Sequence, residues 1–367
     1  MRRVRFLFDV VPVAWLITFA IGCGGDLVIS TPAVPIVLNG EANRLNAYDP
    51  ANGFRKQTVI PSHDDDPAGR DINGQICFFP DGSRRFIAGE DTGQPNPPQG
   101  WGVFRLQGSR VGALSATQIG KLTPTYQASL DNAENYGCGF LRDGRLLTTD
   151  LGNQASGPGN GQLIVWFPPF NVRAPRYCKV DITIGTAGGI AVDAEDRVYV
   201  ASARVDPGIL RYTGPFPTSD DALGGCGRVD STAAPLADAL HREKFIAIDG
   251  NILTPNAIVQ TTHGTFYVSS IINGVIAEYD AGGRFIRRIL TPPAGSQLPF
   301  PTGTPFGLGI DSSGTLYFAD VGLGPALAPV DDMGTVRRIR FANGQPLAAE
   351  VMDTGLNFPD GIGVVEQ

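Results

Sequence analysis

From Val34 onward the chain alternates short apolar runs with turn signals, and the same stretch is written several times. Residues 304–320 (TPFGLGIDSSGTLYFAD) and 254–270 (TPNAIVQTTHGTFYVSS) align without a gap. Residues 186–202 (TAGGIAVDAEDRVYVAS) and 134–150 (ENYGCGFLRDGRLLTTD) fit the same frame, and a fifth copy from Asp71 to Asp91 carries one extra residue before its turn. Each copy reads as an apolar strand, a turn usually tipped by Gly, and a second strand rich in Leu, Val, Tyr and Phe.

A third strand follows each pair: GWGVFRLQ from Gly100, GQLIVWF from Gly161, PGILRYT from Pro207, NGVIAEYD from Asn273 and GTVRRIRF from Gly334. A fourth is often visible, as in RFIRRIL from Arg284. Four antiparallel strands repeating at roughly 50 to 68 residues describe propeller blades enlarged by loops. The sixth blade is split. Residues 358–365 (FPDGIGVV) supply an opening strand at the end of the chain, while VPIVLNG, ANRLNAYDP and FRKQTVI near its start have no opening strand of their own. The prediction is an all-β, six-bladed β-propeller of four-stranded antiparallel blades, closed by pairing the N- and C-terminal segments in one blade.

Composition agrees. With 47 Gly and 29 Pro in 367 residues, about a fifth of the chain breaks helices, which excludes long helical bundles. Hydrophobic residues at 42% are enough for a real core. The net charge of −7, with no basic stripe, argues against nucleic acid as a partner. One segment, ADALHREKF around His241, reads as a short helical insertion, and His263 falls in a turn on the face away from the strand entries.

Over residues 34 to 366 this pattern resembles the six-bladed propellers of the NHL-repeat, senescence-marker-protein/gluconolactonase and strictosidine-synthase-like group. Antiparallel order brings the entries of the innermost strands to one face: Asn73, Tyr136, Gly188, Asn256, Phe306 and Asp360. Second-strand exits Glu90, Asp91, Asp150, Ser270 and Asp320 join them there. Oxygen donors of this kind suit calcium. The resemblance to gluconolactonase-like and paraoxonase-like members implies a channel ion that polarises a lactone or ester carbonyl. Residue by residue it implies Asn73, Asn256 and Asp360 as ligands, with Asn135 or Glu134 in place of Tyr136; Gly188 and Phe306 do not match. His63 or Asp71 would assist water, since His titrates nearest neutral pH. A second reading stays open, in which these Asn and Asp side chains cap turns and the acidic run after His63 is a solvated loop. Tyr136 and Phe306 either line a small apolar pocket at the channel mouth or plug it.

The N-terminal segment carries an address. Arg2, Arg3 and Arg5 precede an uncharged stretch from Val10 to Ile21, too short for a bilayer crossing of about 20 residues. The run Phe19-Ala20-Ile21-Gly22-Cys23 resembles a bacterial lipobox, which implies a signal in residues 1–22, lipidation of Cys23, a tether over 23–33 and the propeller over 34–367. The expected location is the bacterial cell envelope, held to the membrane through the N-terminal lipid only, as a monomer. Cys77, Cys138, Cys178 and Cys226 are compatible with two disulfides in any of three pairings. Two functions are weighed: a calcium-dependent lactone or ester hydrolase at the channel, and a non-catalytic module that binds a protein or glycan through the long loops after Gly89 and Asp150.

Overall fold

In the computed structural model, strands alternate with tight turns from Pro35 to Glu366, and among the described residues there is no helix. The described residues are 34–90, 100–122, 135–152, 160–172, 175–230, 233–238 and 240–366. The expected signal segment, Cys23, the expected tether, Asp91, Glu134 and most of the two long loops lie outside them.

The chain opens with β1 (Pro35–Glu41), β2 (Arg44–Asp49) and β3 (Arg55–Ile60). Blade 2 is β4 (Ile72–Phe78), β5 (Arg85–Glu90), β6 (Gly100–Gln107) and β7 (Ser115–Leu122), and blade 3 is β8 (Asn135–Phe140), β9 (Leu146–Asp150), β10 (Gly161–Phe167) and β11 (Arg176–Ile184). Blade 4 has β12 (Ala187–Val192), β13 (Val198–Ser202) and β14 (Gly208–Thr213), then β15 (Cys226–Val229) and β16 (Pro235–Ala237) before its outer strand β17 (His241–Ala247). Blade 5 is β18 (Pro255–Gln260), β19 (Phe266–Ser270), β20 (Val275–Tyr279) and β21 (Phe285–Leu290). Blade 6 is β22 (Pro305–Ile310), β23 (Leu316–Asp320) and β24 (Gly334–Ile339), a small hairpin of β25 (Phe341–Ala342) and β26 (Gln345–Pro346), and β27 (Glu350–Leu356). The last strand, β28 (Ile362–Glu366), returns to β1 as the innermost strand of blade 1, with Val37 opposite Val364 and Leu38 opposite Gly363.

Second strands are buried nearly throughout, because each blade covers both of its faces with its neighbours. The core therefore lies between blades. Trp101, Val103, Leu146, Ile164 and Trp166 fill the space between blades 2 and 3, and Tyr48, Tyr317, Val336 and Ile362 fill that between blades 6 and 1. Outer strands such as β21 (pattern eeieBB) carry the charges, which keeps exposed sheet edges from pairing with other chains.

That rule corrects one expectation. His241 opens a strand, not a helix: β17 pairs antiparallel with β14, Thr213 opposite His241 and Arg211 opposite Glu243. The helix-forming composition is that of a charged edge strand, held by the Arg211–Glu243 ion pair at 2.5 Å. The insertion before it reaches across to blade 3, where β16 runs parallel to β11 with Leu236 opposite Lys179. Among the cysteines, Cys77 bonds Cys138 and Cys178 bonds Cys226. The first bridge joins the innermost strands of blades 2 and 3; the second ties the insertion to β11, beside the buried Lys179–Asp230 ion pair at 2.6 Å. By the chain-entropy argument each loop closure contributes about 4 kcal/mol at most.

Candidate functional site: the channel mouth

The six inner strands meet in the order β4, β8, β12, β18, β22, β28 and back to β4. At each entry a variable residue is followed by a small one: Asn73-Gly74, Tyr136-Gly137, Gly188-Gly189, Asn256-Ala257, Phe306-Gly307 and Asp360-Gly361. The small residues let adjacent backbones almost touch. A Cβ on Gly361 would lie 1.6 Å from the Gly74 carbonyl oxygen, and one on Gly307 would lie 2.0 Å from that of Asp360. The channel is thus narrow at its backbone, and the variable side chains gather above the constriction.

There they line a cleft of ≈ 180 Å³ with Glu41, Asn73, Asn135, Tyr136, Phe306, Phe358 and Asp360 among its walls. Tyr136 meets Phe306 edge to face at 5.4 Å, and Phe306 meets Phe358 at 5.7 Å, so one side is aromatic. The other side is oxygen-rich. Asp360 accepts the Gly74 N–H at 2.6 Å and that of Gly361, which fixes its carboxylate against the neighbouring blade. The Asn256 amide donates to the Tyr136 hydroxyl and to the Phe306 carbonyl at 3.1 Å, so both its N–H groups are used.

Asn73 and Asn135 complete this side. Asn135 donates to the Gly100 carbonyl at 2.6 Å, and its Oδ1 is buried without a hydrogen-bond partner. Asn73 Oδ1 is buried and unpartnered as well. Both side chains crowd the bare Cα of Gly89, where a Cβ would sit 2.4 Å from Asn73 Oδ1 and 3.3 Å from the Asn135 Cβ. A buried carbonyl oxygen without a donor is costly and asks for a partner. Two such oxygens beside a carboxylate fit a hard cation that takes oxygen ligands. Among the described residues no three His, Cys, Asp or Glu side chains cluster as a metal site. The donor set here consists of amides and one carboxylate.

Of the residues read from the sequence, Asn73, Asn135 and Asp360 come together on the cleft wall, with Asn256 held to Tyr136 at its edge. His63 and Asp71 do not line the cleft. His63 is exposed, and the Asp71 carboxylate is buried and accepts the His63 backbone N–H at 2.8 Å, an anchor for the loop.

Sequence reasoning missed Glu41. Strand β1 extends one residue past the apolar run, which puts Glu41 at the second-strand exit of blade 1. It is the counterpart of Glu90, Asp150, Ser202, Ser270 and Asp320, and all six are buried. Its Oε2 accepts from Asn46 at 3.0 Å and its Oε1 from the Asn357 N–H at 3.2 Å. Applying the second-strand frame to the terminal blade would have found it.

These features define a six-bladed β-propeller with a polar and aromatic cleft at the mouth of its channel. Neither a protein-family model nor a curated protein sequence matches the chain. Among solved structures it is similar to a protein of unknown function from Bacteroides caccae, with TM-score 0.54 and 11% identity over 91% of this chain and 100% of that one. It is also similar to luciferin-regenerating enzyme, with TM-score 0.52 and 13% identity over 87% of this chain and 88% of that one. A gluconolactonase from Xanthomonas campestris aligns at TM-score 0.48 and 15% identity, covering 77% of this chain and 76% of that one. At these identities the first two likenesses speak for the fold alone.

Proposed function

We propose that the channel mouth holds a calcium ion and hydrolyses a lactone or ester. The observation that carries this reading is the pair of buried, unpartnered amide oxygens of Asn73 and Asn135 on the same wall as the Asp360 carboxylate. Those three residues would hold the ion, with Asn256 keeping Tyr136 in place beside them. When bound, such an ion polarises a carbonyl oxygen. Tyr136, Phe306 and Phe358 offer an apolar wall for the ring or acyl chain of a small substrate. Glu41, the second carboxylate of the cleft, accepts the proton of the attacking water as its oxygen bonds to the carbonyl carbon. The ring C–O bond then breaks, the proton passes to the departing alkoxide, and a hydroxy acid leaves. This gives Glu41 the water-assisting role and leaves Asp71 as the anchor of the loop that carries His63.

Calcium should raise the melting temperature of chelator-treated protein by several degrees, since an ion that binds only the folded form stabilises it by mass action. Asp360→Asn should abolish that shift, and Glu41→Gln should keep it while stopping hydrolysis across a panel of lactones and aryl esters. No shift with any divalent ion would rule out the metal reading; a shift without turnover would leave a binding propeller.

We also propose that the protein is exported and lipid-anchored at Cys23. Two disulfides support an oxidising compartment. Cys23→Ala should release the protein from the membrane fraction and remove incorporation of labelled fatty acid.

A further inference from the structure

A larger cavity of ≈ 580 Å³ opens on the opposite face of the ring, between blades 2 and 3, far along the strands from the entries of the channel. It is bounded by the β4–β5 turn, the β8–β9 turn, the loop after β10, and strands β6 and β7. Its walls are apolar: Phe79, Val103, Ile119 and Phe170, with Pro168 and Pro169 at the rim. Phe79 packs against Phe140 at 4.6 Å and Phe170 at 5.8 Å, so the floor continues into the core between the blades.

Two arginines stand over this floor. Arg85 on β5 and Arg105 on β6 are directly opposite in the antiparallel register, so both guanidinium groups rise from the same face of blade 2. Like charges in that position repel unless something neutralises them. Arg85 is neutralised: Asp81 pairs with it at 2.5 Å, Ser83 accepts from its Nε at 2.9 Å, and its guanidinium lies 4.3 Å from the Phe79 ring centre. Hydrogen bonds from the Ser83 hydroxyl and N–H, followed by that from Arg85, bring the Asp81 carboxyl down to about 2, so this pair stays ionised. Asp143, the other carboxylate of the cavity, is taken by Arg145 at 2.7 Å. Arg105 has no ion pair or side-chain hydrogen bond among the described residues. One positive charge is therefore left over at the edge of an apolar chamber of small-molecule size.

We propose that this cavity binds a small amphipathic anion, with its carboxylate on Arg105 and its apolar or aromatic body over Phe79 between Val103, Ile119 and Phe170. A planar guanidinium matches a carboxylate bidentately, and the aromatic floor supplies the surface for the body. The site is independent of the channel mouth and shares no residue with it.

Titration calorimetry and saturation-transfer NMR with benzoate, 4-phenylbutyrate and octanoate, each beside its neutral amide, test this on the full propeller. At least one acid should saturate, and its amide should bind about tenfold more weakly for the lost charge-assisted contact. Arg105→Gln alters an exposed side chain and should cost a similar factor without changing the melting curve; Arg105→Lys should restore part of it. Asp360→Asn should leave the affinity unchanged, which separates this site from the channel. Failure of all three acids to saturate, equal binding of acid and amide, or undiminished binding to Arg105→Gln would each overturn the proposal.

Discussion

The two faces of the ring are built from the same repeated hairpins, yet they use their side-chain oxygens differently. On the turn face the solution is repeated. Asp193 Oδ1 accepts the N–H groups of Glu195 and Arg197, Asp280 Oδ1 those of Gly282 and Arg284, and Thr261 Oγ1 those of His263 and Thr265. In two copies a tyrosine from the next strand closes the other side, Tyr199 on Asp193 and Tyr317 on Asp311, each at 2.9 Å. On the entry face the partners vary more from blade to blade, although Asp150 and Asp320 each take the N–H of the glycine two residues on. Glu90 takes Gln118 and Lys121, Ser270 takes the N–H groups of Leu253 and Thr254, and Asp360 reaches Gly74 in the adjoining blade. A repeated solution is what a shared turn requires; partners that change from blade to blade are what a site requires.

The largest break in this contrast should come where entry-face backbones touch. Gly361→Ala places a carbon 1.6 Å from the Gly74 carbonyl oxygen, so blades 1 and 2 must separate. The cost should be about 4 kcal/mol or more, read from denaturant midpoints, because a packed ring cannot absorb the strain locally. Gly314→Ala on the turn face has nothing within 4 Å of its new carbon and suffers only its positive φ of 85°. It should cost about 1 kcal/mol. Equal losses would mean that the ring does not close as tightly as its backbone indicates.

Asp320→Ala comes next. This buried carboxylate accepts from the N–H groups of Thr304 at 2.6 Å and Gly322 at 3.1 Å and from the Thr335 hydroxyl at 2.9 Å, with Arg337 at 3.4 Å. Removal strands several buried donors and a guanidinium, for a loss of about 3 kcal/mol. Asp320→Asn keeps the shape and an acceptor, and should recover part of that loss. A silent Asp320→Ala would make this position part of a solvated rim.

The same contrast explains what could be read from the chain. The hairpins and their turns were legible because their bonds close within a few residues, Asp193 to Arg197 and Thr261 to Thr265; the split first blade was legible from the repeat frame, although its closing pairs join the two ends of the chain. Asn73, Asn135, Asn256 and Asp360 were placed on one face by strand direction alone. Their partners were not legible, since the Asp360 bond to Gly74 spans 286 positions and the Asn256 bond to Tyr136 spans 120. The edge strand at His241 was misread because its partner β14 lies beyond an insertion, while local composition favours a helix. Likewise the cavity under Arg105 exists only after two blades are set side by side.

The smallest effect separates the faces by pH. Burial alone would raise the Asp193 carboxyl, but hydrogen bonds from the Arg197 N–H, the Arg197 guanidinium and the Tyr199 hydroxyl outweigh it and hold the group below its ordinary value. A carboxylate depressed in the folded state adds stability that is complete above its unfolded value and is lost as pH falls through the folded one. Asp193→Asn should therefore cost about 1 kcal/mol near neutrality, the worth of a hydrogen-bonded charge partly replaced by an amide. The difference from the parent should begin to shrink below about pH 4, where the carboxyl of the unfolded chain takes up its proton, and vanish as pH falls through the lower folded value. Melting curves of the two proteins recorded down an acid series would then converge. Curves that stay parallel would show that Asp193 serves the turn by its shape alone, and that the turn face owes nothing to ionisation.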